Sequence, residues 1–211
     1  MHMKRGDHIC SIYSTTGELA RTVAKFLAQG LSNHERCWYV ASGDEGAAVR
    51  ASLAAIAVDV DAEITRGALS FISANEAYAI RGAFDPVATT QVFNDAIEQA
   101  YDDGFTGFRA AAEMSWVLQH EDRTHLLIVY EALLRSLFAT CRAIGLCLYD
   151  RHRMPLGVIN GALQTHPYTV DPAREGCRTN PFYESAVDRL LPADDVSVMA
   201  KLNELENVAR S

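Results

Sequence analysis

The sequence predicts an α/β fold, a three-layer sandwich with a mostly parallel central sheet between helices. Two observations carry the prediction. Short strand-like stretches alternate with helical patterns of roughly ten to twenty residues, the spacing of crossover connections in a parallel sheet. One stretch, Cys37-Trp38-Tyr39-Val40-Ala41, is continuously apolar, as a strand covered on both faces requires.

In chain order, Asp7–Tyr13 reads as a strand, with a period of two that places His8, Cys10 and Ile12 on one face and Ile9 and Tyr13 on the other. The helix Glu18–Leu31 has Leu19, Val23, Phe26, Leu27 and Leu31 at helical spacing, with Thr15 or Thr16 as N-cap. A second strand at Arg36–Ala41 leads through a polar turn to a helix at about Ala47–Ala57. Asp59–Thr65 reads as a short helical turn, Ala68–Ser73 as a third strand, and Asn75–Tyr78 as the loop leaving it. Asp85 caps a long helix with Pro86 in its first turn and Gly104 at its end. Phe105–Ala112 is the fourth strand, and Glu113–Trp116 opens a polar loop running to Arg123. Thr124–Ala139 is an amphipathic helix, Cys141–Tyr149 a fifth strand, and Pro155–Gln164 a further helix. Tyr168–Tyr183 forms a polar tail with room for a hairpin, and Pro192–Arg210 is a charged helix. No repeat or linker divides the chain. One domain over residues 6–190 is expected, followed by a charged helix or tail over 191–211.

Composition narrows the function classes. No apolar run approaches the ~20 residues of a membrane span, and the N-terminus lacks a basic-then-apolar leader. Five scattered cysteines without a C-x-x-C pair suit reduced thiols in the cytoplasm. A net charge of −8 disfavours direct nucleic-acid binding.

The first forty residues have the order of a phosphate-binding β-α-β unit, strand into loop into helix N-terminus. The loop lacks the chemistry. A working G-x-x-x-x-G-K-[ST] cradle needs two glycines, a lysine and a hydroxyl. The segment Ser14-Thr15-Thr16-Gly17-Glu18-Leu19-Ala20-Arg21-Thr22 keeps Gly17 and Thr22, sets Arg21 roughly at the lysine position, and places Glu18 near the anion seat. A residual nucleotide binder or weak NTPase using Arg21 and Thr22 is the enzymatic alternative. No G-x-S-x-G elbow, H-E-x-x-H pair or cysteine-nucleophile signature is present, so nothing in the sequence demands an enzyme.

Asp7-His8-Ile9-Cys10 with Tyr13, then Gly30-Leu31, Arg36-Cys37, Phe108-Arg109, Glu113-Met114-Ser115-Trp116, Tyr149-Asp150, His166-Pro167 and Asn180-Pro181-Phe182-Tyr183 resemble the MEDS domain, the sensory domain of DcmR-type regulators of methanogens and methylotrophs. The resemblance spans roughly Gly6–Tyr183. It implies a RecA/KaiC-like core with a degenerate phosphate loop and a role as an input module. Such modules accompany histidine kinases, transcription regulators and sigma-factor circuits, and the family is suspected of sensing small hydrocarbon derivatives. The chain carries no visible kinase or DNA-binding segment, so it is expected either to act in trans or to be an excised domain. A homodimer and the identity of any cofactor stay open.

Ligands of parallel sheets bind outside the carboxyl ends of the strands, which directs attention to His8, Cys10, Tyr13, Arg109, Glu113, Trp116 and Tyr149 as a candidate small-molecule site. His8 and Cys10 share a strand face and would supply two soft ligands to a metal or haem, or a thiol beside a base. Completing a metal site would require Cys147 and His166, brought close only by the fold. The plainer reading makes Cys10 a small buried hydrophobe and His8 a structural hydrogen-bonder. Arg109 is positioned to clamp a polar ligand or to pair with Glu113. Trp116 and Met114 suit either a pocket wall or ordinary core.

Overall fold

The computed structural model describes residues 3–41, 43–78, 84–119, 126–173 and 176–184. The charged C-terminal segment and the polar stretch around residues 120–125 lie outside the described residues.

Seven strands form one sheet in the order β3-β2-β4-β5-β1-β6-β7. They are β1 (His8–Tyr13), β2 (Arg36–Ala41), β3 (Leu69–Ser73), β4 (Phe108–Glu113), β5 (Ala143–Asp150), β6 (Tyr168–Val170) and β7 (Cys177–Thr179). All neighbouring pairs are parallel except β6–β7. The helices are α1 (Thr16–Ser32), α2 (Glu45–Ala55), α3 (Val60–Thr65), α4 (Ala74–Tyr78), α5 (Pro86–Asp102), α6 (Leu126–Thr140) and α7 (Leu156–Thr165).

The helices form two layers, each with its own core. One gathers Ile9, Tyr13, Leu19, Phe26, Tyr39 and Val49 beneath α1, α2 and α3. The other gathers Cys10, Tyr78, Phe93, Trp116, Tyr130 and Tyr149 beneath α4, α5, α6 and α7. The alternation expected of β1 is met: Ile9 and Tyr13 enter the first core, Cys10 and Ile12 the second. Strand β4 is buried at every position, and its Ala110-Ala111-Ala112 run lets helices approach from both sides. On β5, a Cβ on Gly145 would lie 2.1 Å from the Phe138 ring, so the missing side chain is what seats α6 against the sheet.

Local chemistry accounts for the helix starts. Asp85 accepts from the amides of Val87 and Ala88, with Pro86 in the first turn. Thr15, and not Thr16, caps α1 by accepting from the Glu18 amide.

Two expected loops are helical instead. Residues 74–78 wind into α4, whose first turn is anchored by Glu76 accepting from the Ser73 amide and hydroxyl. Ser115–Gln119 is a 3₁₀ turn with Ser115, Trp116 and Val117 buried. Met114 and Trp116 are core, one of the two places the sequence allows them. The tail does form an antiparallel pair, β6–β7, which extends the sheet past β1.

Candidate functional site

Beneath α6 and α7, four polar side chains from four separate places in the chain meet with no access to solvent. His8 comes from β1 and Cys147 from β5. Glu131 descends from the middle of α6, and His166 stands directly after the last turn of α7. One nitrogen, oxygen or sulfur of each lies within 4.8 Å of all the others. Glu131 Oε2 is 3.2 Å from His8 Nε2, 3.3 Å from His166 Nε2 and 3.4 Å from Cys147 Sγ, and Cys147 Sγ is 3.4 Å from His8 Nε2. Tyr149, two residues beyond Cys147 and on the same strand face, donates its hydroxyl to the other oxygen, Glu131 Oε1.

The His166 ring orientation is set from outside the cluster, whereas the outer nitrogen of His8, Nδ1, has no hydrogen-bond partner. His166 Nδ1 lies 2.7 Å from the Ala162 carbonyl and 3.1 Å from Thr165 Oγ1. A carbonyl only accepts, so Nδ1 carries a proton, and Nε2 is turned inward towards the cluster. That nitrogen makes no hydrogen bond although Glu131 is within ion-pair reach. Asn180 fixes the same corner, donating to the carbonyls of Leu163 (2.6 Å) and His166 (2.7 Å).

Burial, followed by the charge of His166, lowers the His8 imidazole to about 4. Burial alone would raise the Glu131 carboxyl, but the facing imidazoles of His166 and His8 outweigh it and hold that group below the usual carboxylate range. Burial and the neighbouring Glu131 push the Cys147 thiol well up. A carboxylate this deep costs several kcal/mol to desolvate and persists only with partners of this kind.

Cys10 is the register partner of Cys147 on the adjacent strand, so the two thiols share a sheet face. Cys10 also lines an open pocket of about 250 Å³, together with Ile12, Leu163, Val170, Pro181 and Phe182. The pocket lies near the carboxyl ends of β1 and β6, over the α7 face. Its walls are mostly aliphatic or aromatic.

The other candidate residues are placed elsewhere. Tyr13 donates to Glu113 Oε1 at 2.8 Å on the α1 side, and Ser115 gives Glu113 both its amide (2.9 Å) and its hydroxyl (2.6 Å). Trp116 stacks on Tyr78 at 4.2 Å inside an aromatic cluster with Phe84. Arg109 faces the same layer as Glu113 but stands four residues, ~13 Å, further back along β4. It pairs with Glu35 at 2.7 Å rather than with Glu113. Among the phosphate-loop positions, Thr15 is the helix cap and Glu18 Oε2 accepts from the Ser14 amide at 2.7 Å. The carboxylate therefore occupies a loop donor that an anion would use. Arg21 and Thr22 line a separate cavity of about 340 Å³ with Lys25, Phe26 and Gln29. Arg21 also passes close to Gly17.

Glu131 is the member that the sequence reading missed. Its signal is a lone carboxylate inside the apolar run Leu126-Leu127-Ile128-Val129-Tyr130-Glu131-Ala132-Leu133-Leu134. A charge at a core position of a helix needs a buried partner.

These layers and this topology define a RecA-like α/β protein. The chain superposes on a KaiC-like protein from the hyperthermophilic archaeon Pyrococcus horikoshii OT3 with a TM-score of 0.56 and 9% sequence identity, covering 79% of this chain and 71% of that one. Comparison with curated protein sequences gave no match. Residues 7–167 match the family described as MEDS, the MEthanogen/methylotroph, DcmR Sensory domain. The chain belongs to that family, and its class is that of a signal-transduction input module. No helix among the described residues is long and apolar enough to cross a membrane.

Proposed function

We propose that this input module binds a small organic molecule in the pocket over Cys10 and passes its occupancy to a regulatory partner protein. The observation that carries the reading is the pocket's position. It is concave, mostly apolar and about 250 Å³ in volume, the size and lining suited to a compact organic ligand. Its floor residue, Cys10, is the strand neighbour of Cys147 in the buried polar cluster. Pocket and cluster also share α7 and the Asn180 turn. A ligand that shifts α7 therefore acts on His166 as well, and ~1–3 kcal/mol of differential binding gives a 5- to 150-fold response. Histidine kinases, transcription regulators and sigma-factor regulators are the partner types that suit such a module.

A thermal-shift screen of small polar and halogenated organics, run on the wild type and on Leu163→Trp, tests this. Some compounds are expected to raise the melting temperature of the wild type, and the indole filling the pocket should abolish the shift. Hits that stabilise both proteins equally would place the ligand elsewhere, and a screen without hits would remove the support for a small-molecule input.

A further inference from the structure

We propose that His8 Nε2, Glu131 Oε2, Cys147 Sγ and His166 Nε2 are the ligands of a four-coordinate site for a divalent transition metal of the zinc type. The spacing comes first. A tetrahedron with bonds of about 2.0–2.3 Å has edges of about 3.3–3.7 Å. Four of the six edges here measure 3.2, 3.3, 3.4 and 3.4 Å, and no ligand atom is more than 4.8 Å from another.

The donor types select the metal. Two imidazoles, a thiol and a single carboxylate oxygen suit zinc and its neighbours. A sulfur ligand is wrong for magnesium or calcium, which take oxygen shells.

The surroundings match a metal centre as well. A ligating histidine normally donates its other N–H to a carbonyl or carboxylate, and His166 Nδ1 does so to Ala162 at 2.7 Å. Tyr149 occupies Glu131 Oε1, which leaves Oε2 to point at the other three donors. The inward His166 Nε2 is a buried nitrogen without a hydrogen bond, aimed at a carboxylate oxygen 3.3 Å away. A cation placed between these two atoms would take both as ligands. On binding, the Cys147 thiol loses its proton to solvent and the sulfur coordinates as thiolate, with no change of oxidation state.

The site is independent of the organic-ligand reading. It concerns Cys147 and not Cys10, so a failed compound screen leaves it standing and an absent metal leaves the pocket standing. The test uses the whole chain, purified without chelator, assayed by elemental analysis, and then stripped and titrated with Zn(II) and Co(II). The expected result is one metal per chain with micromolar or tighter affinity. Co(II) should give intense visible bands of tetrahedral geometry and a near-ultraviolet thiolate charge-transfer band, present in Cys10→Ser and lost in Cys147→Ser. His166→Gln is expected to weaken Zn(II) at least tenfold. X-ray absorption on the wild-type zinc protein reads the same shell without any variant, so a poorly folding Cys147→Ser protein does not blunt the test. A first shell lacking sulfur, a charge-transfer band that survives in Cys147→Ser, or no binding by the wild type would overturn the proposal.

Discussion

Arg109 is among the largest fully buried side chains, and its guanidinium is held by the protein from several sides. Nε donates to Glu35 at 2.7 Å, Nη1 donates to the Phe26 carbonyl at 3.0 Å and to Gln29 at 3.2 Å, and the plane lies over the Phe26 ring. Glu35 is itself only 4% exposed. Removing one member of such a pair strands the other charge in the core, at a cost of about 3–5 kcal/mol. Arg109→Leu is therefore expected to destabilise the protein by about that much in urea denaturation, and Arg109→Leu/Glu35→Leu to recover a large part of it. A double variant no more stable than the single one would show that the pair does not act as a unit. The same residue marks the limit of the sequence reading. Nothing in Phe108-Arg109 tells whether the arginine will face a ligand or a glutamate 74 positions away.

At the scale of elements, strands and helices were legible because their causes are local. The Asp85-Pro86 start of α5, the apolar β2 and the alternation of β1 all lie within a few neighbouring residues. The buried cluster was legible only in part. His8 stood out on its strand, and Cys147 and His166 were visible as partners that only the fold could deliver. Glu131 showed only as a lone carboxylate in an apolar helical run, and which partners it meets depends on the rotation of α6 over β5. Helix–sheet packing also explains one small motif. A Cβ on Gly30 in α1 would lie 2.6 Å from Cys37 Sγ and 2.9 Å from Arg109 Cδ and Nε. The glycine is thus the gap through which α1 settles onto β2 and β4. Gly30→Ala is expected to cost about 1–3 kcal/mol by forcing α1 outward, read as a lower urea midpoint with little change in slope. An unchanged midpoint would mean that the helix moves at no cost.

For the molecule as a whole, the RecA-like frame is intact while its nucleotide end has been rebuilt. Thr15 and Glu18 satisfy donors of the loop from within, and the second glycine of a phosphate cradle is missing. Calorimetric titration with Mg-ATP is accordingly expected to show no binding heat, and a phosphate-release assay no turnover above background. A tight complex would return the protein to the nucleotide-handling class. The buried polar cluster lies on the other face of the sheet, where β1, β5, α6 and the end of α7 each contribute one group to it. Two helices and the two central strands are thus bound to a single point.

The Glu18 carboxylate has one more consequence. Because it is covalently tethered a few ångströms from the amide it engages, it acts as a resident competitor whose local concentration, of the order of millimolar, no dialysis can lower. A visiting anion must first evict it, and the positive pole of α1 is already neutralised from inside the chain. Removing that one acceptor, as in Glu18→Ala, is expected to free the Ser14 amide without touching the sheet beneath it.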